Sequence, residues 1–512
     1  MKADSHIRRH RARLDVEVVE DFDVIADEAD RRDHHVRRAA ARQVADRHAD
    51  VRLEPWIARR AAAALVGDGP AGLVELRRDA PGGRLELGGI IATERRDGFL
   101  VECGPDSFLS EKPWALALCR RLGLEDRLVR TDDRFRRTFV VWGGALHPLP
   151  EGFQLLAPTR LGPLLASRLF TWPGKLRMAL DLVLPRGGEA DESLGAFVRR
   201  RLGREALDRV AQPLVAGIYT ADPDDLSLTA TMPRFKELER RERSVILAMW
   251  RAARRAPAEA AGASGARWSL FVTLAEGMDE LVRALGARLP PGSVRLKARV
   301  TDVARADGAW RVTTQDGDVL AADGVILTPE AHQTARLLRY LDPSLALLLE
   351  GIPYASSATV TLAYRRAAIR HPLDGFGFVV PLAEARPGYF TLEKVPAMIG
   401  RAPDGHVLLR VFLGGALREA VLDQDDERLA EIAREQLRDL LGVGEAPLWT
   451  RVARYRKAMP QYHVGHLARV ETIELALARH PRLALAGGAY RGVGIADCVR
   501  SGEDAARVLL ER

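Results

Sequence analysis

Cysteine is scarce in this chain: three in 512 residues, Cys103, Cys119 and Cys498, far apart and with no CxxC spacing. Such usage argues against a disulfide framework or a thiolate zinc site, leaves three thiols and no metal centre, and points to a reducing compartment. Long apolar runs are missing too. No stretch has the length to cross a bilayer, and none near the N-terminus has the character of a secretory signal, so the expected location is cytoplasmic. A large excess of one charge is also absent, because 77 basic residues face 70 acidic ones and the net +7 is spread along the chain. Without zinc-finger spacing, an RNP-like aromatic strand or a dense basic helix, nucleic acid is not an expected partner. Glycine is missing from the first 66 residues although the chain holds 44, and that same stretch carries five of the twelve histidines. Its text, as in "RRDHHVRRAAARQVADRHAD", follows no helix or strand period. Residues 1–60 are therefore set apart as an atypical extension, either a charged, partly helical arm or an out-of-frame reading of a GC-rich gene.

What is present begins with size: 512 residues, 47% of them hydrophobic, suit two to four domains with sizeable cores. At "AAAALVGDGPAGL" a short apolar strand runs into Gly67, Gly69 and Gly72 in a GxGxxG spacing. Such glycines permit a tight turn, let backbone amides reach a pyrophosphate and let the next helix pack closely. The motif also needs that helix and a second strand ending in an acid about twenty positions on. Only fifteen residues separate Gly72 from Gly88 and Gly89, and Glu86 is the acid near the expected offset, so the nucleotide half reads as truncated. Near the other end, "ALAGGAYRGVGIADCVRSGEDAARVLL" reads as a strand, a bend and an amphipathic helix, with Gly487, Gly488, Gly492 and Gly494 in one bend. Two readings stand for it: a tight turn, or backbone that must approach a flat or phosphorylated ligand.

Five stretches in order, "LGGIIATERRDGFLVECGPDSFLSEKP", "RRTFVVWGGALHPLP", "LVAGIYTADPDDLSL", "LAEGMDELVRAL" and the C-terminal segment, carry a resemblance to the protoporphyrinogen oxidase family from about residue 87 onward. The resemblance implies an α/β fold. It has a Rossmann-like FAD domain built from discontinuous segments (61–130, 268–330 and 450–512), a β-rich substrate domain (131–150 and 331–449) and a helical, membrane-side domain (151–267). It further implies FAD-dependent oxidation of protoporphyrinogen IX or coproporphyrinogen III, with oxygen or another acceptor taking the electrons. Cofactor contacts expected from it are Gly88, Gly89, Glu102, Gly104, Pro105, Val300 on the adenine side, and Gly488, Val493, Gly494 and Ile495, in addition to Gly67, Gly69 and Gly72. Arg137 and Gly217 fall where the family meets substrate. A helix starting near Asp497 would aim its amides at the electron-rich edge of the flavin. No side chain is identifiable as a general base. Residues 151–188 interleave apolar and basic residues and suit either an anionic membrane surface on the cytoplasmic face or packing against the helical domain. A homodimer is left open. The rival readings are an amine oxidase or desaturase of the same architecture, and a non-catalytic product.

Overall fold

The computed structural model describes residues 63–66, 72–73, 87–132, 135, 137–154, 156–255, 271–386, 391–394 and 400–510, and every count below refers to them. Gly67, Gly69 and Glu86 lie outside that set. The described residues belong to one unit, Ala61–Arg512.

Strand β1 (Ala63–Val66) lies parallel to β2 (Gly72–Leu73), so Gly72 opens a short strand opposite Leu65. A hairpin follows, β3 (Thr93–Arg96) and β4 (Phe99–Glu102), closed by Asp97 and Gly98 at φ 51° and 79°, as a two-residue turn of this hand requires. Then come β5 (Phe108–Leu109), α1 (Pro113–Leu122), β6 (Leu128–Arg130) and the hairpin β7 (Thr138–Trp142) and β8 (Ala145–Pro148). A short ribbon, β9 (Phe153–Gln154) and β10 (Ala157–Pro158), leads into the helical segment. Its main helices are α2 (Leu161–Ala166), α3 (Trp172–Ala179), α4 (Leu194–Arg201), α5 (Gln212–Tyr219), α6 (Pro233–Glu242) and α7 (Val245–Arg255). One helix is expected over 234–255, but two form. Arg243 leaves the helical region at φ 64°, and the Ser244 hydroxyl accepts the Leu247 amide at 3.1 Å to start the next. The same junction is tied down from inside: Asp181, fully buried, pairs with Arg201 at 2.5 Å and accepts the Ser244 hydroxyl and the Ile246 amide.

The chain returns as β11 (Phe271–Leu274), α8 (Asp279–Gly286) and a meander, β12 (Val300–Ala306), β13 (Ala309–Thr314) and β14 (Val319–Ala322), whose Asp-Gly turns stand where the sequence puts them. After β15 (Gly324–Leu327), α9 (Ala331–Leu338) and α10 (Pro343–Glu350) come the long strand β16 (Tyr354–Arg365), β17 (Gly377–Val379), β18 (Thr391–Lys394) and β19 (His406–Gly414). The last elements are α11 (Asp426–Leu441), β20 (Trp449–Pro460), α12 (His466–Leu477), β21 (Leu483–Leu485) and α13 (Ile495–Leu510).

Two sheets organise these parts. A parallel sheet in the order β2-β1-β15-β21 carries the meander on one face, with Val325 and Leu327 in that core, and α13 on the other, with Ile326, Ala484 and Ala505. The alternation along β15 is what buries both faces. The second sheet has seven strands in the order β20-β16-β19-β18-β17-β7-β8, with α11 over one face. Two segments fall outside the expected boundaries. Strand β20 pairs with β16 over most of its length and so belongs to the seven-stranded sheet. Helices α9 and α10 turn Ala331, Ala335, Leu338, Leu345 and Leu349 into the core of the parallel sheet.

Candidate active site

A cleft of about 1530 Å³, its open mouth included, lies between the seven-stranded sheet, the helical segment and the loop after β4. The seven-stranded sheet supplies most of its wall: Phe376, Phe378 and Val379 around β17, Arg410 and Phe412 on β19, and Tyr455, Ala458 and Met459 on β20. Residues two apart on a strand share a face, which is why Arg410 and Phe412 both look into the cleft. Helix α5 adds Leu214, Gly217 and Ile218, and the loop after β4 adds Gly104, Pro105, Asp106 and Ser107. Gly104, Pro105 and Gly217, three residues expected on opposite sides of a reaction, thus line one space.

Bare backbone is required at several points. A side chain at Gly104 would collide with the Ile90 carbonyl oxygen, and one at Gly88 (φ 112°) would stand 2.6 Å from the Ile91 carbonyl oxygen. The turn through Gly88 and Gly89, closed by the Ile91 amide on the Gly88 carbonyl at 2.8 Å, delivers Ile90 to the cleft rim. The loop is held from the sheet. Arg410, nearly fully buried, donates to the Gly104 carbonyl at 3.1 Å and pairs with the Asp106 carboxylate, and the Tyr455 hydroxyl donates to the Cys103 carbonyl.

Other expected site residues stand elsewhere. Glu102 faces the interior: its carboxylate accepts the Thr93 hydroxyl at 2.8 Å and the Met278 amide at 3.0 Å, with the Arg401 guanidinium at 3.3 Å. Burial pushes its carboxyl up to about 7, against the opposing pull of those three donors. It anchors the start of α8 rather than lining the cleft. Arg137 borders the cleft only through its carbonyl, which accepts the Phe376 amide; its side chain is 65% exposed and pairs with Asp374 at 3.1 Å. Val300 is buried at the start of β12, opposite Thr314, just before a register shift.

The C-terminal bend holds Gly487 at φ 116° and Gly492 at φ 145°, conformations that favour glycine. At Gly492 any side chain would collide with Asp497. Helix α13 starts at Ile495, two residues earlier than the sequence suggests, and the Cys498 amide bonds the Gly494 carbonyl at 2.9 Å. The amides of Ile495, Ala496 and Asp497 therefore have no acceptor within the helix. Asp497 is buried and paired with Lys112. Val493 packs against the helical core and Ile495 against the cluster around Phe108 and Leu281. A second cavity, about 1300 Å³ with its mouth, touches Gly487, Tyr490, Gly492 and Asp497, while Gly488 and Gly494 border neither space.

Side-chain-free backbone at Gly104 and in the bend, and helix amides with no acceptor inside α13, suit the flavin half of a dinucleotide, with the apolar wall beside Gly104. Residues 67–71, where the sequence suggests a pyrophosphate turn, lie outside the described residues. Sequence reasoning missed Arg410, although a single charge inside the apolar run "HVLLRVFLGG" signals a buried partner.

A parallel dinucleotide-type sheet beside a mixed seven-stranded sheet that walls an apolar cleft fits one class, a flavoprotein oxidoreductase. The family described as flavin containing amine oxidoreductase matches residues 83–510, and the chain belongs to it. It is 38% identical over 452 residues to coproporphyrinogen III oxidase of Propionibacterium freudenreichii subsp. freudenreichii, covering 83% of this chain and 84% of that protein. With protoporphyrinogen oxidase of Bos taurus it shares 33% identity, covering 84% and 92%. A crystal structure from Exiguobacterium sp. 255-15 superposes with a TM-score of 0.75 at 29% identity, over 88% of this chain and 99% of that one.

Proposed function

We propose that this chain oxidises a porphyrinogen to a porphyrin with FAD as the resident cofactor. The observation that carries the reading is the cleft, an apolar space large enough for a macrocycle, in a chain similar over most of its length to coproporphyrinogen III and protoporphyrinogen oxidases. Gly88, Gly89, Gly104, Pro105, Gly488, Val493, Gly494 and Ile495 form the flavin side, with Val300 toward the adenine and Gly67, Gly69 and Gly72 toward the pyrophosphate. Glu102 acts indirectly, by fixing α8. Bound FAD would supply the acceptor for a hydride leaving a bridge carbon, with oxygen or another acceptor taking the electrons onward. The chain's own part is positioning. Aromatic walls hold the macrocycle flat, Gly217 lets it approach α5, and Arg137 meets a carboxylate at the mouth by exchanging Asp374. The parallel sheet with its meander acts as the FAD domain, the seven-stranded sheet as the substrate domain and the α2–α7 segment as a membrane-side domain. Trp172, Leu176, Leu180 and Val183 support that last assignment, an exposed apolar row along and just beyond α3.

The test is to load purified protein with FAD and offer coproporphyrinogen III, protoporphyrinogen IX and simple amines separately, following porphyrin fluorescence and oxygen uptake. Coproporphyrinogen III comes first, given the 38% identity to an oxidase of that name. Porphyrin formation is the expected result. Amine oxidation without porphyrin formation would favour the amine oxidase reading, and no turnover by flavin-loaded protein would overturn both.

A further inference from the structure

We propose that Tyr462 is a positioning residue for the flavin-facing bend, acting through the peptide groups of Gly488 and Gly492; the proposal rests on the FAD reading above. Its hydroxyl accepts the Gly492 amide at 2.8 Å and donates to the Gly488 carbonyl at 2.7 Å. One proton and two lone pairs satisfy both bonds at once, so a single atom closes the bend from both arms. The tyrosine is buried, and burial pushes its ionisation far above the ordinary range, so the hydroxyl remains a donor.

The ring is itself held. It stacks on His466 with centroids 3.9 Å apart and planes within 12°. The His466 Nε2 stands 2.8 Å from the Tyr490 carbonyl, and burial keeps this imidazole below its usual range, hence neutral with Nε2 donating. Three peptide groups of the bend, at 488, 490 and 492, are thereby gripped by two side chains four residues apart. The grip is anchored outside the parallel sheet. The Tyr462 carbonyl accepts the Ser227 amide at 2.7 Å, the Val464 amide bonds the Asp225 carbonyl at 2.9 Å, and the Gly465 amide bonds Asp191 at 3.1 Å. The helical segment therefore sets where the bend, and with it the free amides opening α13, stands. Glycines at φ 116° and 145° have no side chains to hold that geometry themselves.

Tyr462→Phe keeps the ring and its stacking and removes one oxygen. In flavin-free protein, amide exchange at Gly492 should speed by about tenfold or more while Gly487, held by the Ser501 hydroxyl at 3.0 Å, is unchanged. In FAD-loaded protein, sulfite affinity reports how well the amides face the electron-rich edge of the flavin, and the variant's Kd should rise about tenfold. Ser501→Ala loosens the other arm of the bend and should move sulfite affinity less than about twofold. Unchanged exchange at Gly492 would overturn the clasp. Unchanged sulfite affinity despite faster exchange, or an equal loss in Ser501→Ala, would overturn the positioning role. A parent chain that takes up no flavin at all would sink the FAD reading and this proposal with it, and that failure is visible before any variant is made.

Discussion

Arg410, buried, and Asp106, partly exposed at the cleft, form an ion pair between the seven-stranded sheet and the loop after β4. Removing the guanidinium takes the charge-assisted bond from a partly buried carboxylate, a change that costs about 2 kcal/mol. Arg410→Met should therefore melt well below the parent by scanning calorimetry, and Arg410→Met with Asp106→Asn should recover most of the loss. Arg137 is different, since its ion pair with Asp374 is largely exposed and screened. Arg137→Ala should leave the melting temperature nearly unchanged and raise the porphyrinogen KM by no more than about threefold. Glu102 gives a pH signature. Its folded pKa, raised from 4.5 to about 7 mainly by burial, means that the folded state binds the extra proton between those values. On its account stability is lost as pH rises through that window, by about 3 kcal/mol at most. Between pH 5 and pH 8 the melting temperature of Glu102→Gln should fall less than that of the parent; an equal fall would remove Glu102 as the source.

Around α3, two of the basic residues that suggest an electrostatic membrane anchor are held against the protein, while Arg160, Arg168 and Arg186 stay exposed. Lys175 is buried on the Leu165 carbonyl, Arg177 donates to the carbonyls closing α4, Arg160 pairs with Glu151, and Arg186 reaches the Arg241 carbonyl. What faces outward is mixed, those three arginines together with an apolar row in which Trp172 is 64% and Leu176 68% exposed. Vesicle binding should therefore persist in neutral lipid through the apolar row, and weaken without being lost when salt is raised to several times physiological strength. Trp172→Glu with Leu176→Glu should abolish it in a flotation assay. Local chemistry was readable at this scale. Asp-Gly pairs at 307–308 and 316–317 read as turns and "FVTL" and "TFVVW" as strands, and all four form, as does the C-terminal strand-bend-helix, its helix two residues early. The break at Arg243 was harder, because the apolar residues resume in helical phase at Val245, seven after Leu238, and the deciding contacts come from Asp181, far away in sequence. For the same reason the partners of Arg410 and the sheet that takes β20 were not legible: both depend on pairings between distant segments.

Across the whole molecule, the residues proposed for the flavin side are all described, while the spacing between Gly72 and Gly88 leaves little room for a helix and a second strand. The chain as it stands should carry less than stoichiometric FAD, read from its visible absorption. Replacing residues 1–86 with a strand, GxGxxG, helix and Glu-ended strand of ordinary length should raise the occupancy toward one flavin per chain. Stoichiometric FAD in the unaltered chain would instead make its short N-terminal segment a working variant. The parallel sheet also has a history built into it. Strand β15 lies between β1, where Ala63 pairs with Gly324, and β21, where Val325 pairs with Leu483. A ribosome must therefore make nearly the whole chain before that sheet can close, and until then the apolar edge of β15 waits uncovered. Such long-range pairing is slow to find and prone to association while it waits. Refolding from denaturant should accordingly show β15 among the last segments to gain amide protection, and recovery of soluble protein should improve on dilution or with a chaperone present.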